Sequence, residues 1–196
     1  KRIFPQEKPL EAPVSVDVVG METPMVALGW RLPAKADPQY GIMSVVQQIL
    51  TNGKCGLFDE NLNNAQQVMQ AMTFLDGMTD QSAFWAIGCP KEGQSLEEVR
   101  DLMLSQVRLL AGGEWDESLL KGILNNMKRR QLEDMQSNEM RAHRFVDAFV
   151  SGQEWADAVG EMQRLDTLTK KTVVDCARRM LTEGYGCVYK RQGTDT

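Results

Sequence analysis

Histidine is almost absent: the 196-residue chain contains one, His143. Zinc hydrolases of the His-Glu-x-x-His or His-x-x-Glu-His kind take two imidazoles from one helix while a carboxylate activates the bound water, so this chain alone assembles no such centre. His143 stands in Met140-Arg141-Ala142-His143-Arg144-Phe145-Val146, a stretch of helical character. There the ordinary reading is a helix-surface or hydrogen-bonded imidazole, not the base of a nucleophilic triad. Cysteine is scarce too. Cys55, Cys89, Cys176 and Cys187 show no Cys-x-x-Cys spacing, and a chain of this length buries a core without staples, so they are read as packed free thiols.

No apolar run approaches the roughly 18–20 residues of a membrane span, and no basic-then-apolar leader opens the sequence. Positive charge is in the minority: 22 Lys plus Arg against 27 Asp plus Glu leave a net charge of −5. That balance is the reverse of a nucleic-acid or anionic-membrane footprint. The one basic cluster, Lys128-Arg129-Arg130, has Glu133 and Asp134 beside it and reads as a solvated helix face. The glycine-bearing stretch Asn52-Gly53-Lys54-Cys55-Gly56 lacks the spacing of a phosphate cradle and reads as a turn between helices.

What is present is periodicity. Residues 1–23, punctuated by Pro5, Pro9 and Pro13, are expected to be an extended linker, because proline supplies no amide donor and biases its neighbour away from helix. A chain that opens on Lys1 in this way is expected to be a processed protein or a piece of a longer one. Val26, Leu28, Trp30 and Leu32 then alternate with Met25, Ala27, Gly29 and Arg31, the period of a strand. Ile42, Val45, Val46, Ile49 and Leu50 recur at helical steps up to Gly53. A helical turn is expected over residues 57–62, and residues 67–76 and 81–89 form a hairpin around Gly77-Met78-Thr79-Asp80.

The remaining length is mostly helix. Ser95-Leu96-Glu97-Glu98 is a capping box ahead of the stripe Val99, Leu102, Met103, Val107 and Leu110, closed by Gly112-Gly113. Asp116 caps the next stripe, Leu119, Leu120, Ile123, Leu124 and Met127, which continues toward Leu132 and Met135. A break is expected near Ser137-Asn138. Further stripes are Phe145, Val146, Phe149 and Val150, then Trp155, Val159, Met162 and Leu165, and, after the Thr169 cap, Val173, Ala177, Met180 and Leu181. Gly184 turns the chain into a last strand over residues 185–190. The order predicts an α+β class: a mainly antiparallel sheet packed with several helices, one domain over residues 24–193 with a tail at 194–196.

Several of these stretches together resemble the insulinase/pitrilysin family of zinc metallopeptidases, and in particular its non-catalytic domain. They are the strand Val26-Ala27-Leu28-Gly29-Trp30, the helix end Ile49-Leu50-Thr51-Asn52-Gly53 and the pair Leu57-Phe58. To these are added Pro90-Lys91-Glu92 leading into Glu97-Glu98-Val99, the opening Gly113-Glu114-Trp115-Asp116-Glu117-Ser118-Leu119-Leu120, and the close from Leu165-Asp166-Thr167-Leu168-Thr169 to Gly186-Cys187-Val188-Tyr189. The resemblance implies a clamshell enzyme of repeated α+β domains in which only one carries His-x-x-Glu-His. This chain lacks that motif. It is therefore expected to hold no cofactor itself, with zinc in the catalytic domain of the parent protein, and to pack beside that domain as a wall of a peptide chamber. Its partners would then be the catalytic domain and, indirectly, a peptide substrate, with no nucleic acid and no membrane span.

In the opposite half such enzymes carry Leu-Arg-x-x-x-x-Leu-Gly/Ala-Tyr, whose Arg and Tyr contact substrate. In the similar stretch here, from Leu62 through Val68, Asn63 and Gln70 stand in place of that Arg and Tyr. The departure argues for the second domain of the zinc-bearing half. The chamber-facing candidates are Asn52, Gly53, Lys54 and Gly56 in the loop, with Asn63 and Gln70. Two alternatives remain open on the sequence: the same fold as a non-proteolytic assembly subunit, and an unrelated helical adaptor presenting exposed Met and Trp residues such as Trp115 and Trp155.

Overall fold

Alternation builds a five-stranded sheet from β1 (Val14–Gly20), β2 (Met25–Leu32), β3 (Gln70–Asp76), β4 (Ser82–Cys89) and β5 (Gly186–Gln192), in the spatial order β1-β5-β2-β4-β3. The structure, a computed structural model, describes residues 8–193. Every neighbouring pair is antiparallel except β1 with β5. In β2 the side chains of Val26, Leu28, Trp30 and Leu32 are buried and the intervening ones point the other way, as the period of two requires. Trp30 anchors this core. Its ring lies 6.0 Å from Phe84 and 5.4 Å from Tyr185, and its indole N–H donates to the Thr182 carbonyl at 2.8 Å.

Among the described residues six α-helices follow the sequence signals: α1 (Pro38–Leu50), α2 (Leu96–Gly112), α3 (Glu117–Gln136), α4 (Asn138–Ser151), α5 (Trp155–Leu165) and α6 (Lys170–Met180). Asp37, Ser95, Asp116, Ser137 and Thr169 each accept a first-turn amide of the helix they precede, and Gly113 closes α2 at φ 77°. The apolar faces of α1, α2 and α6 lie on one side of the sheet and complete the core with Met43, Ile49, Met103, Leu110 and Val173.

Two expectations fail for identifiable reasons. The first is the linker over residues 1–23, since Val14–Gly20 is an edge strand running parallel to β5, with Val16 opposite Val188. Val14, Val16 and Val18 already alternate with Ser15 and Asp17. Pro13 sits just ahead of the strand, where its missing N–H removes no ladder bond. Residues 1–7 and the tail at 194–196 lie outside the described residues. The second is burial of two helical stripes. Leu132 is exposed, and α4 buries only Ala148 and Ser151 while Phe145, Val146, Phe149 and Val150 face outward, Phe149 at 86% exposure. Helical periodicity says which residues share a face; it is silent on whether another element covers that face.

Candidate functional site

The loop after α1 is organised by one carboxylate. Asp59 is buried, and its Oδ2 accepts the backbone N–H groups of Asn52 at 2.8 Å, Gly53 at 2.9 Å and Gly56 at 3.1 Å. The loop therefore curls around a fixed negative charge as a nest of amides. Gly56 is the tightest point, because a Cβ there would come within 2.5 Å of the Leu50 carbonyl oxygen. Asn52 reinforces the curl: its side-chain oxygen accepts from the amides of Lys54 and Cys55, both at 3.0 Å, and its amide donates to the Gln48 carbonyl at 2.9 Å. The chain then enters a π-helical turn, Asp59–Asn64, wider than the ordinary helical turn expected here.

Asn63 closes that turn onto the sheet. It accepts from the Ala71 N–H at 2.7 Å and donates to the Ala71 carbonyl at 2.9 Å, filling both outward groups of edge strand β3. Gln47 blocks the next outward carbonyl, that of Thr73, at 2.8 Å. The side chain of Asn63 is thus committed to edge protection. Gln70, at the start of β3, is exposed on the sheet face away from the helices, next to Cys89 in the ladder. The six residues singled out in the sequence therefore do not form one site. Asn52 and Lys54 stay together, Gly53 is exposed beside them, Gly56 is buried, and Asn63 and Gln70 point elsewhere.

Asn52 and Lys54 border a groove of about 790 Å³ between the loop and α3. Its floor is Leu57, Trp115, Leu119 and Ile123, and its rim carries Glu60, Glu114, Asp116, Arg129 and Arg130. Trp115 is buried, donates its indole N–H to the Leu110 carbonyl at 3.1 Å and lies 4.8 Å beneath the Lys170 ammonium. Trp115 is thus not the exposed adaptor residue that one alternative needed, and Trp155 stacks on Phe145 at 3.9 Å. The central sheet removes the unrelated helical adaptor altogether. Sequence reasoning missed Asp59, Glu114 and Arg130. An acid three residues after Gly56 was the available sign of the first; the other two are recognisable only once α3 lies beside the loop.

The sheet face opposite the helices is the second surface of interest. Cross-strand register places Val16, Val188, Ala27, Ile87 and Met72 in one row, and Val14, Gly186, Gly29, Trp85 and Phe74 in the next. Trp85 lies across Gly29, where a Cβ would come 2.8 Å from the ring, and is stacked with Phe74 at 6.4 Å. Val14, Val16, Met72 and Phe74 remain exposed. An apolar face spanning five strands without a covering layer among the described residues is the mark of an interaction surface.

His143 is on the outer face of α4, 3.8 Å from Glu139, and no three His, Cys, Asp or Glu side chains converge among the described residues. The donor set does not fit a zinc ion. The four cysteines are free thiols, with Cys55 exposed at the groove and Cys176 and Cys187 buried. Burial pushes the thiols of Cys89, Cys176 and Cys187 up, which lowers their thiolate fraction. Alkylation of the native protein is expected to modify Cys55 rapidly and the others slowly, with all four titrating in denaturant without reductant. Two fast thiols, or fewer than four in denaturant, would contradict the arrangement.

Comparison with known proteins follows this geometry. The family model described as the peptidase M16 inactive domain matches residues 1–127. A protease from Helicobacter pylori superposes with a TM-score of 0.88 at 18% identity, over 97% of this chain and 48% of its own. The inactive peptidase domain of a protein assigned as a zinc protease from Bordetella parapertussis gives 0.75 at 14% identity, over 87% of this chain and 93% of that one. The first half of the periplasmic protease PqqL from Escherichia coli gives 0.71 at 12% identity, over 97% and 44%. The chain spans about half the length of the first and third of these. No curated protein matches it in sequence.

Proposed function

Since the chain belongs to the family of peptidase M16 inactive domains, we propose that it is the non-catalytic partner domain of a larger zinc metalloendopeptidase, docked on the catalytic domain and walling the peptide chamber. The observation that carries this reading is the uncovered apolar sheet face. A row such as Val14, Trp85 and Phe74 left in water forfeits about 25 cal/mol for each Å² of apolar surface that a partner could bury. Solved structures of this fold that are about twice as long supply room for such a partner. The chain itself does no hydrolysis in this reading: zinc and the water it activates belong to the catalytic domain, and this domain contributes packing and shape.

The test is reconstitution. The catalytic domain of the parent polypeptide and the 196-residue chain are prepared separately and mixed. The expected result is a one-to-one complex containing one zinc, which cleaves a quenched peptide that neither part cleaves alone. Parts that remain apart at micromolar concentration would overturn the reading. A complex without zinc or turnover would favour the non-proteolytic assembly subunit instead.

A further inference from the structure

The groove between the residue 52–56 loop and α3 has opposite charge at its two ends. Asn61 donates to Gln106 of α2 at 2.7 Å, which places neighbouring Glu60 at the α2 end with Glu114 and Asp116. At the other end, Gln48 lines both this groove and an adjoining cleft with Met127 and Arg130, which places the Asn52–Lys54 side of the loop near Arg129 and Arg130. Between the ends runs the apolar floor of Leu57, Leu119 and Ile123. Neighbouring charges on α3 are paired, Lys128 with Asp166 and Arg129 with Glu133, both at 2.8 Å. The side chains of Lys54, Glu60, Glu114 and Arg130 make no hydrogen bond or ion pair among the described residues.

The geometry points to this groove as a peptide-binding subsite that takes an extended segment of about six residues, cationic at one end, apolar in the middle and anionic at the other. The length follows from the helix: from Asp116 to Arg130 the rise of about 1.5 Å per residue gives about 20 Å, and an extended chain covers about 3.3 Å per residue. The cation is a lysine or a free amino terminus beside Glu60, Glu114 and Asp116. The anion is a carboxylate that Arg130 receives through paired N–H groups, assisted by Lys54. The volume of about 790 Å³ lies within the range of ligand clefts. The inference deepens the peptide-chamber reading and rests on it for its role. The groove lies on the helical side of the domain and the uncovered face on the other side of the sheet, so binding here and docking there fail independently.

The test uses the 196-residue chain and two synthetic hexapeptides with the same leucine and alanine centre. One has an amino-terminal lysine with a free amine and a carboxy-terminal aspartate. The other has aspartate at both ends, with its termini acetylated and amidated. Calorimetry is expected to show the lysine–aspartate peptide binding at least about tenfold more tightly, with affinity falling as salt is raised. The same peptide is expected to slow alkylation of Cys55, which lines the groove. In Glu114→Lys, which leaves Glu60 and Asp116 in place, the advantage of the lysine–aspartate peptide is expected to shrink at least about threefold, and in Arg130→Glu that peptide loses about tenfold or more. Both positions are exposed, and near-ultraviolet circular dichroism verifies that each variant is folded. Equal affinity of the wild-type chain for both peptides, no binding at about 1 mM, or an undiminished advantage of the lysine–aspartate peptide in folded Glu114→Lys would overturn the inference.

Discussion

Introducing carboxylates at both edges of the uncovered sheet face, Phe74→Glu with Val16→Glu, is expected to weaken association with the catalytic domain by about 10³-fold or more. Each new carboxylate must lose its water in the interface without gaining a partner, at several kcal/mol apiece, and every 1.4 kcal/mol is about a factor of ten. The chain alone should lose much less. Val16 and Phe74 are already 51% and 41% exposed, so the stability change in urea is expected to stay at about 1–3 kcal/mol, most of it from the lost Phe74–Trp85 stack. That contrast separates a docking surface from a merely solvent-tolerant one. Size-exclusion chromatography of the mixed parts reads the first quantity and urea unfolding the second. Wild-type association by the double variant would remove the sheet face from the interface.

Asp59→Ala is expected to cost about 3 kcal/mol of folding stability, lowering the melting temperature by about 6–12 °C at about 2–4 °C per kcal/mol for a chain of this size. The carboxylate serves three amides at once, and the one on Gly56 is buried, where no water replaces the lost acceptor. Asp59→Asn retains one carbonyl oxygen and is expected to lose about half as much, since a neutral acceptor is the weaker one. Because the loop borders the groove, Cys55 should also alkylate under altered control once the nest is gone, whereas Cys176 and Cys187 stay slow. Calorimetry and urea unfolding together measure the effect; a loss under about 0.5 kcal/mol would mean that the loop holds its shape without the carboxylate.

The helices were legible before any coordinates because their signals are local. A cap such as Ser95 or Thr169 bonds an amide three residues on, and a stripe such as Val99, Met103 and Val107 recurs within one turn or two. Strand β2 announced itself in the same way, and the order of elements carried the fold class. Position relative to distant residues was not legible. The strand at Val14–Gly20 exists through pairing with residues more than 160 positions away, and proline nearby outweighed its alternation. The stripe of Phe145 and Phe149 has the period of a buried face but no element over it. Asn63 and Gln70 share a motif frame in sequence, yet the strand pleat and the turn send one to the edge of β3 and the other to its open face. Periodicity acts over a few residues through backbone geometry, whereas coverage, charge polarity across the groove and the amide nest around Asp59 arise only when separate segments meet.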